Sequence, residues 1–194
     1  MTNDMEPITE FYMALDALKQ VSRRSYIAKG ARLENSAEHS WHLAMACWNF
    51  ACRFYPEADQ ERLIKLALIH DLGEISAGDT FLYDVARAEA HVEERKGMEA
   101  LNKMPGNSIS NLLPLWDEQE YGDSLEVRIL KVMDRLLPFM LNLQSGGRAW
   151  RDAGVRKSQV LAMHEKISSL DARVYAWIRA QVEVAVANGW LIDD

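Results

Sequence analysis

The chain has 194 residues, of which 48% are hydrophobic and 26% charged. Twenty-two Lys and Arg stand against 29 Asp and Glu, a formal net charge of −7. The apolar fraction excludes a disordered chain, the length suffices for a core without covalent staples, and the acidic balance opposes broad nucleic-acid binding, which uses Lys and Arg to displace counterions.

Cys47 and Cys52 lie five apart in what reads as one helix. They therefore point roughly 140° apart, which rules out a bridge between them and a disulfide scaffold. The segment Met1–Glu6 has no basic or apolar leader character, and no uncharged run approaches the roughly 20 residues of a membrane span. The expectation is a soluble, reduced, cytoplasmic protein of one domain over 1–194, with its core in about 10–150 and the helices of 151–194 packed on it.

The periodicity predicts helices throughout. The first runs from about Ile8 to Val21, with Ile8, Phe11, Leu15 and Leu18 on one face. A loop rich in Arg, Lys and Gly follows, through Gly30. The second helix starts at Asn35-Ser36, where Glu38 completes a capping box, and ends before Pro56. It carries two apolar stripes, Trp41/Met45/Trp48/Cys52 and His39/Leu43/Ala46/Phe50, so it reads as buried on most sides.

A third helix spans about Asp59–Leu72 and a fourth about Val85–Met104, stopped by Pro105-Gly106. A short one holds Leu112–Trp116. A long one covers Ser124 to about Leu143, bent near Pro138. Two more, about Val155–Ser169 and Asp171–Ala187, end at Asn188-Gly189. No alternating period-two stretch of useful length is evident. The fold class is all-α, a bundle of seven or eight helices.

The informative residues are charged groups inside apolar stripes. His70-Asp71 follows Leu66-Ala67-Leu68-Ile69 and precedes Leu72. Asp134 shares a helix face with Leu130, Leu137 and Leu141. His39 sits in the Leu43/Ala46/Phe50 stripe. A lone buried carboxylate costs several kcal/mol unless it is paired or bound to a metal. Two imidazoles and two carboxylates converging from three helices suit one divalent metal ion, whether Mn, Co, Fe, Ni, Zn or Mg. Taken singly, a histidine in a helix is more often a core or cap residue, and Asp134 is explained as a partner of Arg128 or Arg135. If the third helix persists, Glu74 lies one turn beyond His70 on the same face, where a carboxylate can move a proton. Asp79 follows Gly78 in a turn able to fold back over the site.

The set His39, His70-Asp71 and Asp134 matches the H…HD…D pattern of the HD-domain metal-dependent phosphohydrolases. The string Arg32-Leu33-Glu34-Asn35-Ser36-Ala37-Glu38-His39-Ser40-Trp41-His42 resembles the first-histidine segment of the branch that contains bacterial 5′-deoxynucleotidases. His70-Asp71-Leu72-Gly73-Glu74 with Ala77-Gly78-Asp79 resembles that branch's second segment, and Leu115-Trp116 and Asp134-Arg135-Leu136 are similar too. The resemblance covers about residues 10–150.

The resemblance implies His39, His70, Asp71 and Asp134 as ligands of a divalent metal and Glu74 as the catalytic acid/base. It implies Asp79 as a carboxylate that positions water or the leaving group. It also implies an arginine fifteen residues before the first histidine as the phosphate anchor; that is Arg24, with Arg23 and Arg32 as local competitors. Those enzymes follow the arginine with a tryptophan against the sugar, where this chain has Ser25, a departure that bears on sugar selectivity. The implied activity is release of phosphate from (deoxy)nucleoside 5′-monophosphates by a homodimer. The alternatives are another phosphoester substrate (a nucleoside triphosphate, a cyclic nucleotide or a non-nucleotide phosphate) and a nucleotide-binding regulatory module without turnover. Neither a nucleic acid nor a membrane is an expected partner.

Overall fold

The structure is a computed structural model that describes residues 5–80 and 87–194. Helix α1 (Met5–Asp16) runs into a 3-10 turn at Ala17–Gln20, so the first helix tightens four residues before its expected end. Phe11 and Leu18 anchor it in the core.

The next segment is not all loop. Strand β1 (Ser22–Ile27) pairs antiparallel with β2 (Arg32–Asn35), with Tyr26 opposite Leu33 and an irregularity between Ser22 and Tyr26. The hairpin corrects the expectation of helices and loops alone. Its alternation is real but is carried by polar residues: Arg23 and Ser25 turn inward while Ser22 and Arg24 are exposed. A hydrophobic period of two therefore never appears in the sequence.

Helix α2 (Ser36–Phe54) begins at the expected capping box, in which the Asn35 side chain accepts from the Glu38 N–H and the Asn35 N–H donates to the Glu38 carboxylate. It buries Ser36, His39, Ser40, Leu43, Ala44, Cys47 and Ala51. The other stripe is not core: Trp41 is 65% exposed, and Met45 and Trp48 are exposed too. Periodicity identified both faces of α2, but the neighbouring elements cover only one.

Helix α3 (Gln60–Ile69) is capped by Asp59, whose carboxylate accepts from the Arg62 N–H. It stops three residues short of the expected end, and a separate one-turn helix α4 (Glu74–Ala77) follows. Helix α5 (Arg87–Asn102) comes next; the expected start at Val85 lies outside the described residues. Helix α6 (Leu112–Tyr121) is longer than expected, and α7 (Leu125–Gln144), capped by Ser124, runs through Pro138 without interruption. The C-terminal part holds α8 (Arg148–Ala153), α9 (Lys157–His164), α10 (Ile167–Leu170) and α11 (Ala172–Ala187). The expected helix over 155–169 is thus two short ones, and α8 was not foreseen.

Helices α2 and α3 pack on each other and both pack on α7. Leu43, Leu63 and Leu66 are fully buried there, each contributing roughly 2 kcal/mol of transfer free energy. Helix α11 closes the other side of α7 through Ile178 and Val182 and through an edge-on contact of Trp177 with Phe139. Among the described residues no helix is long and apolar enough to cross a membrane.

Candidate metal centre and active site

The site forms where α2, the end of α3, α7 and the hairpin meet. His39 is fully buried on α2, one turn after its N-cap. His70 is the first residue beyond α3, and Asp71 follows in the turn. Residue 73 must be Gly: a Cβ there would lie 2.8 Å from the Glu94 Cβ and 2.9 Å from its carbonyl oxygen. That close approach of α4 to α5 holds Glu74 under the site. Gly78 has φ +79 and ψ 163, a region open essentially to glycine, and turns the chain so that Asp79 faces back.

His39, His70 and Asp71 each offer a ligand atom, and these lie within 4.8 Å of one another. Asp134 Oδ1 is 3.0 Å from His39 Nε2 and 3.7 Å from His70 Nε2. The structure thus brings together all four predicted ligand residues. Asp134 is less enclosed than its stripe implied: its side chain is 36% exposed, at a cavity mouth. Pro138 has no N–H to offer the Asp134 carbonyl one turn back.

The donor chemistry fits a divalent cation. His70 Nδ1 lies 2.8 Å from the Ala67 carbonyl, which fixes its proton there, and its buried Nε2 lies 2.9 Å from Asp71 Oδ1 without hydrogen-bond geometry. A lone pair is therefore directed into the cluster. His39 has Glu34 behind it, with Oε2 3.6 Å from Nδ1, the arrangement by which a carboxylate orients a ligating imidazole. Glu34 is itself buried, at the inward position of β2. Sequence reasoning gave it no role; the signal would have been its place in a strand.

The second feature is Arg23. Its Nη1 donates to Asp71 Oδ2 at 2.7 Å and lies 3.6 Å from Asp79 and 3.8 Å from Glu74; its Nε lies 3.7 Å from Glu34. Arg24, the expected phosphate anchor, and Ser25 line the same cavity. The competitor Arg23 is the arginine that faces the carboxylates. Ser36 was not anticipated either; its hydroxyl donates to Glu74 Oε2 at 2.6 Å.

Electrostatics divides the acids. Burial raises Glu74 to about 9, with Asp71 and Asp79 adding to the effect. Burial and the neighbouring Asp71 raise Asp79 too, against Arg23. Burial works against ionisation of Asp71 and Asp134 as well, but the histidines outweigh it, aided at Asp71 by Arg23, and both are lowered. Burial pushes His39 and His70 down, yet Asp134 with Glu34 or Asp71 lifts each above the ordinary value. The cluster therefore holds two ionised carboxylates among basic groups and one carboxyl, Glu74, that keeps its proton near neutrality.

The cavity beside this cluster has Asp71, Glu74, Asp79 and Asp134 at one end. Along α7 it continues past Arg135, Pro138 and Phe139 to Asn142, and Trp150 and His164 line it beside Phe139. Sequence reasoning gave Phe139 and Asn142 no functional role.

A family model described as HD domain matches residues 15–173. A solved structure described as a predicted metal-dependent phosphohydrolase from Magnetospirillum magnetotacticum is 32% identical, with a TM-score of 0.87 over 97% of this chain and 95% of that one. A 5′-deoxynucleotidase of Xenopus laevis is 28% identical over 131 residues, 66% of this chain and 64% of the relative. The match thus spans just under two thirds of that relative. A 5′-deoxynucleotidase of Erwinia tasmaniensis is 26% identical over 79% of this chain and 83% of its own.

Proposed function

We propose that this chain, which belongs to the HD domain family, is a metal-dependent phosphomonoesterase that hydrolyses nucleoside 5′-monophosphates, deoxynucleotides among them. The observation that carries the reading is a buried His-His-Asp donor set with Asp134, whose Asp71 and Asp134 line one cavity together with Glu74, Asp79 and the arginine-bearing strand. The names of the bacterial and vertebrate relatives point to the same substrate class.

In this reading His39, His70, Asp71 and Asp134 hold one divalent cation. When bound, the cation polarises the phosphoryl group and lowers the barrier to attack by water. Arg24 clamps the phosphate through its planar fork. Arg23 keeps Asp71, Glu74 and Asp79 at fixed separation by sharing one guanidinium among them. Hydrolysis forms a bond from water oxygen to phosphorus and breaks the bond from phosphorus to O5′. The leaving alkoxide needs a proton, and Glu74 holds one at its carboxyl while Ser36 fixes the other oxygen. Asp79 accepts from the attacking water.

The reading includes a homodimer, supported by the exposed apolar stripe Trp41, Met45 and Trp48 on α2. It also includes a reducing, cytoplasmic setting, in keeping with two unpaired cysteines. The net charge of −7 argues against nucleic acid as a partner.

The test is phosphate release from a panel of phosphomonoesters with Mn, Co, Mg or Zn. Metal-dependent release from dAMP, abolished by a chelator, is the expected result. Asp71→Ala and Asp134→Ala should lose bound metal by elemental analysis. A blank panel with every metal would overturn the reading. Stabilisation of the fold by nucleotide in that blank case would favour a binding module.

A further inference from the structure

The far half of the cavity carries polar atoms that the hydrolytic reaction does not use. Asn142 is buried on α7, and its Nδ2 donates to the Pro138 carbonyl at 3.2 Å. That bond fixes the amide, so the remaining atom, Oδ1, is an acceptor; it is buried with no hydrogen-bond partner. His164 is 1% exposed at the end of α9, with Nδ1 2.7 Å from the Val160 carbonyl. Its proton is thereby held on Nδ1, and the Arg135 backbone also faces the ring, so His164 walls the cavity without presenting an open acceptor. Burial lowers the His164 pKa, in the direction that keeps the ring neutral.

An unpartnered buried acceptor costs roughly 1–3 kcal/mol, so Asn142 Oδ1 on the cavity wall calls for a ligand that donates. Arg135 and Phe139 lie between Asp134 and Asn142 along α7, and Arg135 Nη1 donates to the Met163 carbonyl. Asn142 follows Asp134 by two helical turns on one face, which separates their Cα atoms by about 12 Å. A sugar hydroxyl sits beside the phosphoester and is too near to span that separation. The distal edge of a nucleobase is the part of a nucleotide that extends furthest from its phosphate.

We infer that Asn142 forms a base-recognition subsite that accepts a hydrogen bond from an exocyclic amino group, selecting adenine and cytosine nucleotides over hypoxanthine and uracil ones. The amino bases present an N–H₂ donor where the keto bases present an acceptor. An acceptor facing the subsite leaves Asn142 Oδ1 unpaired and adds a lone-pair repulsion. This inference rests on the nucleotidase reading above and adds the identity of the base to it.

The experiment compares substrates that differ only at that group, dAMP against dIMP and dCMP against dUMP. The wild-type protein should favour the amino member of each pair by about tenfold or more in kcat/KM, the usual scale for one well-formed base contact. Asn142→Leu removes the acceptor at similar volume, and the ratio should fall to within about threefold of unity on the same scale. A merely structural role for Asn142 would lower activity on both members and leave the ratio in place. If the variant does not fold, the wild-type ratios still decide. Equal rates on both members of each wild-type pair would overturn this inference while leaving the nucleotidase reading intact. Hydrolysis of no nucleotide at all would overturn both.

Discussion

Arg23 sets the electrostatic balance of the site, and its removal is a measurable perturbation. Its side chain is 12% exposed, and its guanidinium lies 2.7 Å from Asp71, with Asp79, Glu34 and Glu74 between 3.6 and 3.8 Å. Burial alone would lower the Arg23 pKa; Asp71, Asp79, Asp134 and Glu74 together raise it instead. Arg23→Met keeps most of the aliphatic volume and deletes the charge. Breaking a buried pair by removing one partner costs about 3–5 kcal/mol. Total stabilities are about 5–15 kcal/mol, so the loss is a large share. For a chain of this length it corresponds to a drop in Tm of about 6–20 °C.

The assay is urea or thermal unfolding after chelation, repeated with saturating divalent ion. A cation supplies positive charge to the same carboxylates. At one hundred times its Kd it adds about 2.7 kcal/mol to the protein that binds it. The increment should be larger in Arg23→Met, because the competing guanidinium is gone. A chelated variant that unfolds within about 1 kcal/mol of wild type would refute the reasoning, since so small a change is ordinary for a surface site.

The remaining predictions concern chemistry, pH and capping. Glu74→Gln should keep its metal by elemental analysis yet lose about 10²–10⁴-fold in kcat on dAMP, the usual scale of acid–base assistance; wild-type turnover would remove Glu74 from the proton path. His164 has a folded pKa below its ordinary 6.5. The unfolded chain then binds the proton more readily, so its contribution is complete above about pH 6.5 and is lost as pH falls. The stability difference between wild type and His164→Phe should therefore shift against the wild type on acidification, read from paired denaturation curves between pH 7 and 5. Asp171 caps α11 by accepting from the Arg173 and Val174 N–H groups and also accepts from the Tyr55 hydroxyl at 2.8 Å. Asp171→Ala should cost about 2–3 kcal/mol, the sum of a cap and one further bond, with an unchanged urea m-value.

Much of the fold was legible because the helices carry their own start and stop chemistry. The Asn35–Glu38 capping box, the Asp59, Ser124 and Asp171 caps, and Gly189 at φ +69 are local events between near neighbours in the chain. The hairpin was not legible, because its inward positions hold Arg23, Ser25 and Glu34 instead of apolar residues. The break after Ile69 was not legible either. It depends on Gly73 meeting Glu94 of α5, a contact across the bundle.

The sequence by itself determined that His39, His70, Asp71 and Asp134 occupy apolar stripes where an unpaired charge is costly, and the helices bring them to one point. Helical period and solvation cost are properties of a segment alone, so they can be read along the chain. Only the tertiary structure decided that Arg23 is the arginine facing the carboxylates, that Trp41 and Trp48 lie on an open face, and that Asn142 and His164 line the cavity. Each of these depends on what covers a side chain. A strand's inward side and a buried atom's lack of a partner exist only once distant segments have packed.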